Sequence, residues 1–218
     1  MEKDDQLEWS ARSLFVTGFF VELGLVLLGA ALGYLFLSHP FPFRLVLDTQ
    51  GLLVGLLATV PMVLFAFALT SRIAARIGFL REMEGKLKAY LGSGIRAMTI
   101  QEIILLSAAA GVGEEILFRG VLQTLSGSVW GLWVASVIFG LLHAVTPAYF
   151  ALATLMGLYL GALYIATNNL LAPILVHWLY DTVALYLLRR QWLKEDEEET
   201  KREEEKASQE TKENHQPE

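Results

Sequence analysis

The sequence contains no cysteine, so disulfides and cysteine-based zinc sites are excluded. Charge is sparse ahead of residue 189. The first 188 residues carry a net charge of only −2 of the total −6. No basic stripe of the kind that holds nucleic acid is present, which excludes a nucleic-acid partner. The opening stretch MEKDDQLEWSAR lacks the basic start of a signal peptide and is too acidic for a transit peptide. The first apolar block is therefore expected to remain as an anchor. No H-E-x-x-H occurs, which argues against a zinc peptidase, and no internal repeat is evident, which argues against a proton-coupled transporter.

What the chain has in excess is apolar residues, 54% of 218 with a mean hydropathy of +0.46. A soluble domain has ~45–50%. The apolar residues fall into blocks of about the length that crosses a bilayer. The reading is an all-α, multi-pass transmembrane helix bundle of about six spans. These are Ser13–Leu37, Gln50–Thr70, Ile100–Leu125, Val129–Val145, Ala148–Ala166 and Leu171–Leu188. Residues 1–98 form an N-terminal membrane region of two spans plus a basic loop. Residues 99–188 form a core of four spans, and 189–218 a charged tail.

Local signals mark several boundaries. The two prolines of SHPFPF end the first span, and Pro61 predicts a kink in the second. Thr99-Ile-Gln-Glu102 has the form of a capping box, and Thr146-Pro147 that of an N-cap with proline at the first helical position. Residues 71–98 hold six Lys/Arg against two Glu and read as a helix ending at Gly92-Ser93-Gly94, either on the surface or in the headgroup layer. Trp130, Trp133, Trp178 and Trp192 near span ends read as interfacial anchors. The tail holds eleven acidic and seven basic residues, too charged to bury a core, and reads as a solvated or frayed helix.

Ionisable groups at membrane depth cost about 2.5–3.5 kcal/mol each, so each is a functional candidate. The last four spans hold Glu114, Glu115, Arg119, His143, His177 and Asp181. Glu115 and Arg119 are four apart, share a helix face and can pair. His177 and Asp181 repeat the interval, as do Phe139 and His143. Glu114 lies about 100° around the helix from Glu115, so it faces elsewhere and is free to meet a cavity. A Glu–Arg pair can be purely structural, and a lone membrane histidine often only bonds its neighbours. Glu22 in the first span can be a packing group or an interfacial one. Convergence favours chemistry: three helices bring a candidate base, two imidazoles and a further carboxyl, enough to activate a water.

Glu114-Glu115-Ile-Leu-Phe-Arg119, Phe139-Gly-Leu-Leu-His143 and His177-Trp-Leu-Tyr-Asp181, in order on successive helices, resemble the three-motif signature of the CAAX protease and bacteriocin-processing family. That family (CPBP, or Abi) includes the type II CAAX prenyl endopeptidases. The resemblance covers about residues 100–188. It implies an intramembrane glutamic endopeptidase acting on a membrane-anchored peptide or protein in the lipid bilayer, with no cofactor and no metal. In that reading Glu114 and His143 activate water, and His177 and Asp181 face the oxyanion. Glu115, Arg119 and Phe139 support the site. Where the family has asparagine this chain has Asp181, whose ionised carboxylate would repel an oxyanion. It is either protonated or accepts a hydrogen bond from His177 and orients it; the second is preferred. The other readings are a membrane zinc peptidase on Glu114, His143 and His177, a non-catalytic scaffold or bacteriocin-immunity-type protein, and the transporter.

Basic loops stay in the cytoplasm. With 71–98 inside, the chain sits in the cell membrane with both termini cytoplasmic. A reporter fused after Glu218 is expected to read the inside, and one at Asp48 the outside. A tail found outside would mean a miscounted span.

Overall fold

A computed structural model describes residues 10–37 and 45–213. The acidic opening stretch up to Trp9, the prolines of SHPFPF and Arg44 lie outside the described residues. Those described build seven α-helices and no strand. They are α1 (Ala11–Phe36), α2 (Thr49–Leu69), α3 (Gly78–Ala97), α4 (Ile100–Glu115), α5 (Ser128–Leu142), α6 (Pro147–Thr167) and α7 (Leu171–Glu213). A 3₁₀ turn at Ala74–Arg76 precedes α3, and α4 runs on as a π-helix over Ile116–Gln123.

The chain is a multi-pass helical membrane protein. Four helices, α1, α2, α6 and α7, are long and apolar enough to cross a bilayer, and α5 is apolar but shorter. The other expected span is α4 with its π-helical continuation. Phe20, Leu27 and Leu57 are 64%, 64% and 71% exposed, a surface that only lipid satisfies.

The predicted caps form. Thr99 Oγ1 accepts from Glu102 N at 3.2 Å, and Glu102 Oε2 accepts from Thr99 N at 2.7 Å. Thr146 Oγ1 accepts from Tyr149 N at 3.0 Å, ahead of Pro147. Helix α2 continues through Pro61. At the far end of the bundle Asn169 ties the α6–α7 turn to the start of α2. Its Nδ2 donates to Val46 O at 2.8 Å and Asp48 Oδ2 at 2.9 Å.

Helix α1 packs along α4, and α7 lies between α4 and α2. The α1–α4 contact is close: a Cβ on Gly113 would stand 2.7 Å from Glu22 O. Small residues serve this purpose in lipid, where packing replaces the hydrophobic drive.

Two expectations are corrected. Helix α3 does not end at Gly92-Ser93-Gly94 but runs to Ala97. The reason is tertiary: a Cβ on Gly94 would stand 2.6 Å from the Leu14 side chain of α1, so that glycine serves packing rather than a turn. The tail, expected as a solvated or frayed helix, is a largely exposed helix. Helix α7 continues to Glu213, and its residues after the last span lie against α3. Trp192 is fully buried there rather than anchored at the interface. Its Nε1 donates to Glu84 Oε1 at 3.2 Å. Lys88 pairs with Glu195 at 2.7 Å and Arg96 with Asp196 at 3.1 Å. Trp192→Ala is expected to cost about 3–5 kcal/mol. Thermal melting of the purified variant reads this, and an unchanged melting point would mean that the indole is not packed on α3.

Candidate active site

Three helices and the π-helix bring the predicted polar residues together. Glu114 and Glu115 close α4, and Arg119 lies one turn on in the π-helix. His143 caps the C-terminus of α5, and His177 and Asp181 sit on α7. π-helical turns are rare and often accompany functional sites. Here the π-helix presents Arg119 and Gln123 to α6. Arg119 Nη2 donates to Gly157 O, and Gln123 Nε2 to Gly161 O, both at 3.0 Å. Gly157 also lets α5 approach, because a Cβ there would lie 2.9 Å from Ser136 Cα. The Gly157–Gly161 spacing thus has a use on both sides of α6.

Glu115 is fully buried and its Oε1 accepts two hydrogen bonds. One comes from Arg119 Nη1 and the other from His177 Nδ1, each at 2.8 Å. The pairing with Arg119 is as expected. The bond to His177 is not legible from spacing, because 62 residues separate the partners. Since Glu115 takes Nδ1, it is Glu115 that orients His177. Asp181 instead lies by the other nitrogen, its Oδ2 3.4 Å from Nε2. The guanidinium also stands 5.0 Å over the Phe139 ring, a cation–π contact.

Phe139 organises the rings. His143 stacks on it at 4.5 Å, and His177 and Phe118 meet it edge-on at 6.0 and 5.1 Å. His143 Nδ1 lies 2.8 Å from Phe139 O. A carbonyl only accepts, so Nδ1 carries the hydrogen and Nε2 keeps a free lone pair. Both Nε2 atoms face Glu114: His143 Nε2 is 3.7 Å from Oε1, and His177 Nε2 is 3.6 Å from Oε2. These gaps exceed a direct hydrogen bond. Glu114 Oε2 is buried without a hydrogen-bond partner. Among the described residues no group of three or more His, Cys, Asp or Glu side chains is disposed to hold a metal ion.

Glu22, on the expected first span, also reaches this region. It is half-buried, its Oε2 has no partner, and it interacts electrostatically with Glu114, His177 and Asp181. Its signal in the sequence was a carboxylate inside an apolar span. A cavity of about 410 Å³ opens from His143, His177 and Asp181, passes between α2 and α6, and ends against α3. Tyr159 Oη, donating to Ala58 O at 2.7 Å, ties α6 to α2 beside it.

Comparison with known proteins agrees with the motif resemblance. Residues 96–183 match the family model described as Rce1-like, type II CAAX prenyl endopeptidase. All seven expected site residues lie inside that stretch. The chain is also 37% identical over 101 residues to the uncharacterized protein YpbD of Bacillus subtilis, covering 45% of this chain and 51% of that protein. The chain thus spans about half the length of that curated relative. No solved structure matches.

Removing one partner of a buried ion pair leaves an unpaired charge and costs ~3–5 kcal/mol. Arg119→Ala is expected to lower the melting temperature of the purified protein by a corresponding amount. A fully stable variant would show that Glu115 does not depend on the guanidinium.

Proposed function

We propose that the chain is an intramembrane endopeptidase, of the glutamic type, that hydrolyses a membrane-anchored peptide or protein. It acts in the cell membrane, with both termini on the cytoplasmic side. The observation that carries the reading is the buried Glu114 carboxyl, placed between the Nε2 atoms of two histidines whose Nδ1 positions are already committed.

In this mechanism a water sits between Glu114 and the His143 lone pair. Glu114 takes its proton while the water oxygen forms a bond to the scissile carbonyl carbon. His177, oriented by Glu115, donates from Nε2 to the oxyanion, and Asp181 lies beside that nitrogen. When the intermediate collapses the C–N bond breaks, and the proton held by Glu114 passes to the leaving amine. Glu115, Arg119 and Phe139 hold the histidines in place. No cofactor enters any step.

A general base contributes about 10²–10⁴-fold. Glu114→Gln keeps shape and hydrogen-bonding capacity but takes no proton. It is expected to stay folded and lose cleavage by that factor, read with a substrate found by comparing membrane proteomes of wild type and Glu114→Ala. Near wild-type cleavage would sink the glutamate-base mechanism and favour the scaffold reading. Chelator is expected to leave the rate unchanged; a loss restored by zinc would favour the zinc peptidase.

A further inference from the structure

Helix α3 is the most basic segment outside the spans, yet the side it turns to the cavity is not basic. Leu80, Met83, Glu84 and Leu87 line the cavity, spaced as one face of a helix. Three are apolar and one is a carboxylate. A half-buried carboxylate in an apolar face is costly unless paired. Among the described residues Glu84 has no cationic hydrogen-bond partner. Its Oε1 accepts from two neutral donors, Gln191 Nε2 at 2.6 Å and Trp192 Nε1 at 3.2 Å. Lys88, the cation that acts on Glu84 electrostatically, lies 2.7 Å from Glu195 and 3.9 Å from Asp196. Burial raises the Glu84 carboxyl above its usual range; the indole N–H and Lys88 partly oppose this, and Glu195 adds to it.

The wall holds a second carboxylate beside two histidines. Its ionisable groups are Glu84, Asp181, His143, His177 and three tyrosines, with no lysine or arginine among them. Between its two carboxylates the wall is mainly apolar, with Met62, Leu69, Met156 and Leu185 along it. Asp181 and Gln191 stand ten residues apart on α7, about 15 Å along a helix. That is the reach of four or five extended residues.

We propose that this cavity selects a peptide segment with apolar side chains near the scissile bond and a basic residue four or five positions away, received by the Glu84 carboxylate. The proposal rests on the endopeptidase reading for its scissile bond. A segment with a carboxylate at that position would meet Glu84 with like charge, while Lys88, the cation that acts on Glu84, is already paired with Glu195.

The test uses the full chain in detergent, carrying Glu114→Gln so that nothing is cut. The probes are a dansylated Leu-Ala-Leu-Ala-Lys amide and its counterparts ending in Gln and Glu, with binding read by fluorescence anisotropy. The Lys peptide is expected to bind about tenfold more tightly than the Glu peptide, with Gln between them. Adding Glu84→Gln, which keeps an acceptor for Gln191 and Trp192, is expected to bring the three within about twofold. Glu84→Lys is expected to reverse the order. Melting temperatures confirm that the variants are folded. Equal binding of all three peptides, no binding, or a Lys preference that survives Glu84→Gln would overturn the proposal. Selective binding by a protein whose wild type cleaves nothing would instead count against the endopeptidase reading alone.

Discussion

One carboxylate oxygen, Glu115 Oε1, holds the centre of this molecule. It accepts from Arg119 and from His177, and so ties the π-helix to α7 through the end of α4. A buried carboxylate is stable at this depth only when paired. Arg119 supplies the charge, and through its second nitrogen it also reaches α6 at Gly157. The same bond commits Nδ1 of His177 to Glu115 and so leaves Nε2 to meet Glu114. Structural pairing and chemical orientation are in this way one interaction.

Around that centre the bilayer sets the packing rules. Lipid gives helices no hydrophobic reason to associate, so contact depends on shape. Gly113 admits the backbone of α1, and Gly157 that of α5. Close approach of α1 brings Glu22 toward the cluster, and close approach of α5 sets Phe139, with His143 stacked on it, against His177. The cavity starts where these contacts stop and continues to the seam between α3 and the extension of α7.

Much of this was readable before any coordinates. The apolar blocks, the caps at Thr99 and Thr146 and the i,i+4 pairing of Glu115 with Arg119 are local, and local geometry follows from spacing. The three motifs located the residues that converge. Other features could not be read in this way. Gly92-Ser93-Gly94 resembled a turn because glycine has two uses, and only a neighbouring helix shows which applies. Trp192 resembled an interfacial anchor because nothing local shows that α3 covers it.

The sequence by itself determined which segments are apolar helices and which polar side chains lie within them. Composition and periodicity are properties of the chain, and the cost of burying a charge does not depend on its neighbours being known. The tertiary structure alone decided who pairs with whom. Spacing offered Asp181 as the group that orients His177, one turn away on the same helix. The fold instead gave that nitrogen to Glu115, 62 residues distant, because α4 and α7 pack side by side at that level and leave Asp181 beside the other nitrogen.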